Sequence, residues 1–299
     1  MSLYPIRTLA ELTGVSPTTL RAWERRYGLL KPERTAKGHR LYGSQDIELI
    51  RNIVRLLNQN HSISEAVRIV RHDSGEASSV ISETQDDWGN FQKLLLQNVE
   101  SFNEEGLDSV YNQALSMYPI DLVTENVILP VLEALGERWS SRETGIAEEH
   151  FFSAYLRNKL GARLHHESRR SRGQIILAAC MPDEHHELGL LLFCLAAISH
   201  GYRIIYLGTD MPLEQLPGAA KHTLAAAVLL SATSVKYSET LKQQLVELNN
   251  KLHVPLLIGG ALSSKSNTAF NDIGVVLLGD KQKPALEKLE SLVSVHKRS

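Results

Sequence analysis

The stretch MPDEHHELG, residues 181–189, sets two adjacent histidines among acidic residues and before a glycine, directly after the apolar run Ile175, Ile176, Leu177, Ala178 and Ala179. A neutral imidazole is a good donor to a transition metal, and a nearby carboxylate can hold its other ring N–H and fix the tautomer. Glu184, two residues before His186, has the reach for that. A second chemistry lies in TLRAWERRYGLLKPERT, residues 19–35, and GHRLY, residues 38–42, where guanidinium groups recur at a spacing suited to phosphates and base edges. A third candidate is Trp139, followed after nine residues by Glu149 and His150. Helical spacing alone reads these three as a core aromatic, a helix-start charge and a satisfied polar group.

The histidines need a rigid support, and the carboxyl-terminal part supplies one. Five apolar segments, QIILAA, RIIYLG, AAVLLSAT, PLLIGG and GVVLLG, alternate with helical stretches. Five such units predict a doubly wound five-stranded parallel sheet, Rossmann-like or flavodoxin-like, over residues 172–299. Ligands of such sheets bind beyond the strands' carboxyl ends. His185 and His186 follow the first strand, Ser231 and Thr233 the third, and Gly259 and Gly260 the fourth. No GxGxxG follows the first strand and no GxxxxGK[ST] occurs, so neither a dinucleotide fingerprint nor a P-loop is present.

The arginines need a helix that presents them. Thr8 to Thr13 reads as a first helix and Gly14 as a turn; Ser16 then serves as an N-cap and Pro17 as the first residue of a second helix. Leu20 and Trp23 share its inner face, while Thr18, Thr19, Arg21 and Arg25 lie outward, near its start. Two short extended pieces around Lys37 and Gly38 form a basic hairpin. A helix capped by Ser44, with Ile47, Ile50, Val54 and Leu57 on one face, and another from Ser64 to Arg71 complete a module over residues 1–73. That module holds twelve Lys and Arg against seven Asp and Glu, whereas the whole chain of 299 residues is at −2. A basic end on an acidic body fits a nucleic-acid-binding module. Residues 74–87 are polar and aperiodic, a linker. Residues 88–168 predict a four-helix bundle, with Pro119 and Pro130 at or near helix starts.

Residues 19–42 resemble the MerR family of winged-helix regulators. The resemblance implies a recognition helix in the major groove and a wing on the flanking backbone, with Thr19, Arg21, Arg25, Arg26 and Tyr27 on or just after the helix and Arg34, Arg40 and Tyr42 in the wing; Thr18 joins the DNA-facing set by its place on the helix's outer face. It also implies dimers that meet half-sites about 34 Å apart on double-stranded DNA. Glu184, His186 and Gly189, then SAT after 41 residues and GG after 25 more, resemble the DxHxxG, SxL and GG signature of cobalamin-binding domains. Framing on Gly189 selects His186 as the cobalt ligand, with Ser231, Thr233, Gly259 and Gly260 lining the slot for the nucleotide tail, where a side chain on either glycine would collide. Glu184 replaces Asp and Thr233 replaces Leu. Trp139, Glu149 and His150 resemble the cap motif of the CarH and LitR photoreceptor repressors, in which these residues surround the adenosyl group; the cofactor expected here is adenosylcobalamin or methylcobalamin. The bundle then caps the corrin, which would lie between bundle and sheet. Ser140 stands where those proteins carry a light-recruited histidine.

The expectation is a transcriptional regulator, a repressor rather than an enzyme, whose homo-oligomeric assembly, dimer or tetramer, and operator binding depend on bound cobalamin. The alternative is a cobalamin-free MerR-type regulator whose carboxyl-terminal part is an oligomerisation or partner-binding module. Two cysteines, Cys180 and Cys194, without a CxxC pair argue for a reducing cytoplasm. The apolar run Leu188 to Ile198 falls short of the about 20 residues that span a bilayer, so no membrane association is expected.

Overall fold

The computed structural model describes residues 3–35, 38–59, 61–73, 87–139, 141–169, 171–265, 270 and 273–293. The chain divides into two compact units, Met1–Phe152 and Ser153–Ser299.

The first unit opens with a short strand β1 (Leu3–Pro5), then α1 (Ile6–Thr13) and α2 (Pro17–Tyr27). Gly14 ends α1 in the left-handed region, φ 72°, where a residue without Cβ is unstrained. Ser16 caps α2 as its sequence implied, its Oγ accepting the Thr19 N–H at 3.1 Å. The hairpin consists of β2 (Glu33–Arg34) and β3 (Arg40–Gly43), with Lys37 outside the described residues. The sequence had not signalled β1, which pairs with β3 and makes the wing three-stranded. The helix α3 (Ser44–Leu57) is capped by Gly43 rather than Ser44, because the Asp46 carboxylate accepts the Gly43 N–H at 2.8 Å. The module closes with α4 (Ile63–Asp73).

Asp87, placed in the linker by its polarity, instead opens α5 (Asp87–Glu100), where an acidic side chain suits the helix's amino end; residues 74–86 lie outside the described residues. Next come α6 (Glu104–Met117), α7 (Ile120–Val123), a π-helical turn over Thr124–Ile128, and α8 (Leu129–Glu137). Phe91, Leu95 and Val99 recur every four residues along α5 and are buried, as are Leu107, Val110, Tyr111 and Ala114 of α6. Pro119 caps α7 and Pro130 takes the second position of α8, both at helix starts as expected, while the π-helical turn joins α7 and α8 into one run from residue 120 to 137. Proline has no N–H for the carbonyl four residues back, and the Asn126 carbonyl accepts the Gln92 side-chain N–H at 2.7 Å instead. The 24-residue α9 (Gly145–Ser168) contains the boundary between the units.

The second unit contains β4 (Ile175–Cys180), α10 (Leu188–Ser199), β5 (Arg203–Tyr206), a 3₁₀ turn at Leu213–Gln215, α11 (Leu216–Thr223), β6 (Ala227–Ser231), α12 (Glu239–Lys251), β7 (Leu256–Gly259), α13 (Ala261–Lys265), β8 (Val276–Gly279) and α14 (Gln282–Leu292). All five strands are parallel, in the order β5-β4-β6-β7-β8. This is the flavodoxin-like order, and it reverses between β4 and β6. Strand residues Leu177, Ala179, Val228, Leu230, Leu256 and Ile258 are fully buried against Leu216, Leu245 and Leu248 of the covering helices. Near-continuous apolar strands are what a sheet covered on both faces requires.

Candidate functional site

In the first unit α2 and the wing form one basic surface. Thr18, Arg21, Arg25, Arg26 and Arg34 are exposed. Arg40 is half-exposed, and its Nε–H lies 3.1 Å from both oxygens of the Glu24 carboxylate, which fastens β3 to α2. Two residues assigned to the DNA face lie elsewhere. Tyr42 is fully buried, its hydroxyl donating to Glu24 at 3.3 Å; burial, with the Glu24 carboxylate, pushes its phenol up to about 12. Thr19 is 1 % exposed, its hydroxyl donating to the Leu115 carbonyl at 2.9 Å. Helical periodicity misled here: Thr19 borders the inner stripe of Leu20 and Trp23, and α6 occupies the space it faces. Tyr27 is half-buried, its hydroxyl bonded to Ser64 and its carbonyl to Arg71.

Trp23 is buried, and its indole N–H donates to the Met117 carbonyl at 2.7 Å. Leu115 and Met117 belong to the last turn of α6, whose carbonyls have no partner within the helix. Thr19 and Trp23, four residues apart, therefore satisfy that helix end. In return the hydroxyl of Tyr118, fully buried and bonded to Asp87 Oδ2 at 2.5 Å, bonds the backbone of Ile63, the first residue of α4.

Trp139 is 46 % exposed, and Ser140 lies outside the described residues. Gly145 brings the loop of Trp139 against the start of α9: a Cβ there would lie 2.4 Å from the Arg138 carbonyl oxygen. Glu149 and His150 pair with each other at 3.0 Å, and the His150 side chain is 71 % exposed. The sequence reading passed over their neighbour Glu148, which is buried and accepts from Thr144 Oγ1 at 2.6 Å and Arg142 Nη1 at 3.3 Å. Acidic residues in a row gave no signal as to which one turns inward.

In the second unit the histidine loop lies at the carboxyl end of β4, beside the switch point. Glu184 is fully buried and organises it. Oε1 accepts the His186 backbone N–H at 2.8 Å, faces His186 Nδ1 at 2.9 Å and accepts the Ser234 hydroxyl at 2.9 Å; Oε2 accepts the backbone N–H groups of Thr233 at 2.5 Å and Ser234 at 2.6 Å. Burial opposes the charge, but these donors outweigh it and hold the carboxyl at about 2. An ionised carboxylate facing Nδ1 favours the proton on that nitrogen, so that in the neutral ring the lone pair is on Nε2, on a side chain that is 59 % exposed. Thr233 contributes through its backbone, so the side chain that replaces the usual leucine leaves this anchor intact. Ser234, unmarked in the sequence reading, contributes two of the donors.

The remaining motif residues cluster around the same loops. Ser231 is buried, accepts the Met181 N–H at 3.0 Å and stands opposite Gly259 in the ladder. A Cβ on Gly259 would meet only Gly279 O at 3.8 Å, and one on Gly189 would meet nothing. Gly260 differs: its φ is 93°, and a Cβ would lie 2.5 Å from the Ala232 carbonyl oxygen. The protein's own backbone demands glycine there, whatever occupies the slot. Burial pushes the Cys180 thiol up to about 12, aided by Glu184 and Glu187, so it is inert at neutral pH.

A buried carboxylate that holds one ring nitrogen of an exposed imidazole, with room at Gly259 and Gly189, would suit a metal-bearing cofactor that takes one protein nitrogen. Among the described residues no group of three or more His, Cys, Asp or Glu is gathered to chelate a metal ion unaided. None of the described helices is long and apolar enough to cross a membrane.

Residues 4–73 match the MerR HTH family regulatory protein description, and residues 92–164 match a B12 binding domain. The chain is 30% identical over 282 residues to the HTH-type transcriptional repressor CarH of Myxococcus xanthus, covering 91% of this chain and 93% of that protein. It is 29% identical to the repressor CarA of the same organism, with 90% of each covered. The fold resembles a monomethylamine corrinoid protein of Methanosarcina barkeri, TM-score 0.55 at 18% identity, over 69% of this chain and 99% of that one.

Proposed function

Because the chain belongs to the family of MerR-type regulators with a B12-binding domain that includes CarH and CarA, we propose that it is a repressor whose hold on double-stranded DNA is set by a cobalamin ligated through His186. The observation that carries this reading is the His186–Glu184 pair, with Nδ1 held at 2.9 Å by a buried carboxylate on an imidazole side chain that is more than half exposed. Cobalamin, as adenosylcobalamin or methylcobalamin, would be held through His186 and would supply a cobalt able to take an imidazole nitrogen and an alkyl group. Glu184 fixes the tautomer and stabilises positive charge on the ligated ring. Gly189 and Gly259 leave room for the cofactor beside Ser231 and Thr233, and Gly260 lets the loop after β7 turn. Trp139, Glu149 and His150 are proposed as further cofactor-binding residues.

On the DNA side Thr18, Arg21, Arg25 and Arg26 enter the major groove, while Arg34 and the Glu24-anchored Arg40 grip phosphates. Control requires that the cofactor favour one homo-oligomeric state, dimer or tetramer, over another; a 100-fold preference corresponds to about 2.7 kcal/mol. The role is regulatory rather than catalytic, in line with the names of CarH and CarA.

The test is purification from cells supplied with adenosylcobalamin, with the visible spectrum and operator gel shift recorded in the dark and after green light, and His186→Ala as control. Coloured protein whose colour is lost in His186→Ala supports the reading. Colourless wild-type protein, or operator affinity indifferent to the cofactor, refutes it.

A further inference from the structure

His186 is followed by Glu187, which holds the N-cap position of α10 yet makes no side-chain bond to that helix's free N–H groups. An acidic side chain at that position ordinarily takes them. Here the carboxylate is turned away: Arg157 Nε lies 2.6 Å from Oε1 in an ion pair, and the Tyr206 hydroxyl bonds Oε2. Arg157 comes from α9 and Tyr206 from the end of β5, the strand beside β4. His186 thus lies between two anchored carboxylates. Glu184 ties its segment to the loop after β6, and Glu187 ties it to β5 and α9.

Such a grip has a chemical use. The ring is 59 % exposed and has one fixed nitrogen, so packing does little to hold it. The segment's backbone must then set the ring's direction, and metal–imidazole bonding is directional. Groups one bond removed from a ligand are worth about 10–100-fold in metal affinity. We infer that Arg157 and Tyr206 are positioning residues for the ligating histidine, acting by holding Glu187 and with it the 184–187 segment. The inference rests on the cobalamin reading above and adds to it two residues outside the binding signature.

The experiment uses the full chain and two readouts. Hydrogen exchange of the 184–188 amides is measured without cofactor, and hydroxocobalamin is titrated while the imidazole-ligated visible spectrum is followed. Arg157→Leu and Tyr206→Phe are compared with Arg157→Lys, with His186→Ala and with Arg163→Leu, which removes an ion pair to Glu167 elsewhere on α9. The expected result is about 10-fold faster exchange and about 10-fold weaker hydroxocobalamin binding in Arg157→Leu and in Tyr206→Phe. Arg157→Lys should recover most of the binding, and Arg163→Leu should match wild type. Unchanged exchange, or unchanged affinity and spectrum, in both variants overturns the clasp. If His186→Ala titrates like wild type, the cobalamin reading is what fails. The clasp is then decided by exchange, standing if Arg157→Leu loosens the segment and falling if it does not.

Discussion

Replacing Glu184 with glutamine tests the anchor on which the site depends. The carboxyl is held at about 2 against an ordinary 4.5. At about 1.4 kcal/mol per pH decade, that depression is worth on the order of 3 kcal/mol of folding free energy. The folded value is depressed, so this stability is complete above about pH 4.5 and drains away as pH falls towards 2. Glutamine keeps the shape but has one acceptor for donors now spread over two oxygens. Whichever way its amide turns, an NH₂ faces either the His186 N–H or the Thr233 and Ser234 N–H groups. At neutral pH Glu184→Gln should therefore lower the stability of the sheet unit by about 2–4 kcal/mol. Glu184→Asp keeps the charge on an arm one methylene shorter and should fall between. Trp23, Trp88 and Trp139 all lie in the first unit, so tryptophan fluorescence is blind to this event. Native-state hydrogen exchange of the β4 and β6 amides from pH 7 towards pH 3 reports it directly. Protection in Glu184→Gln within about 0.5 kcal/mol of wild type at neutral pH, or an undiminished acid-dependent fall, would falsify the account.

Arg21→Ala and Arg25→Ala should each weaken operator binding at least tenfold and flatten its salt dependence by about one charge, with melting unchanged; equal affinity in a gel-shift titration rejects the assigned face. Thr19→Val and Trp23→Phe leave the Leu115 and Met117 carbonyls unpaired, and each should cost about 1–3 kcal/mol, read as faster exchange in the last turn of α6 and the first of α2. A neutral Thr19→Val would return that side chain to the DNA face. Gly260→Ala should fail to fold or lose several degrees in Tm, whereas Gly259→Ala should melt like wild type and lose only corrinoid binding. Equal melting of the two alanine variants would show that Gly260 is not under backbone constraint.

Most of the architecture could be read from the chain because its signals are local. Ser16 and Pro17 announced the start of α2, and alternating apolar segments announced five parallel strands. The spacing of Glu184, His186, Gly189, SAT and GG fixed the order of the loops at the sheet's end. Where the reading slipped, a neighbour distant in sequence had the last word. Thr19 is one case: helical periodicity places it outward, yet its hydroxyl donates to the Leu115 carbonyl, 96 residues on.

The amino-acid sequence by itself determined which residue types are present for ligation and for phosphate contact, and that the histidines stand at a strand's end, since caps, periodicity and spacing act within a few residues. Only the tertiary structure decided that Thr19 and Tyr42 turn inward while Arg21 and Arg25 stay out, that Glu184 is charged and buried, and that Glu187 reaches Arg157 and Tyr206. Those outcomes depend on partners dozens of residues away, and burial and hydrogen-bond satisfaction are properties of the packed whole.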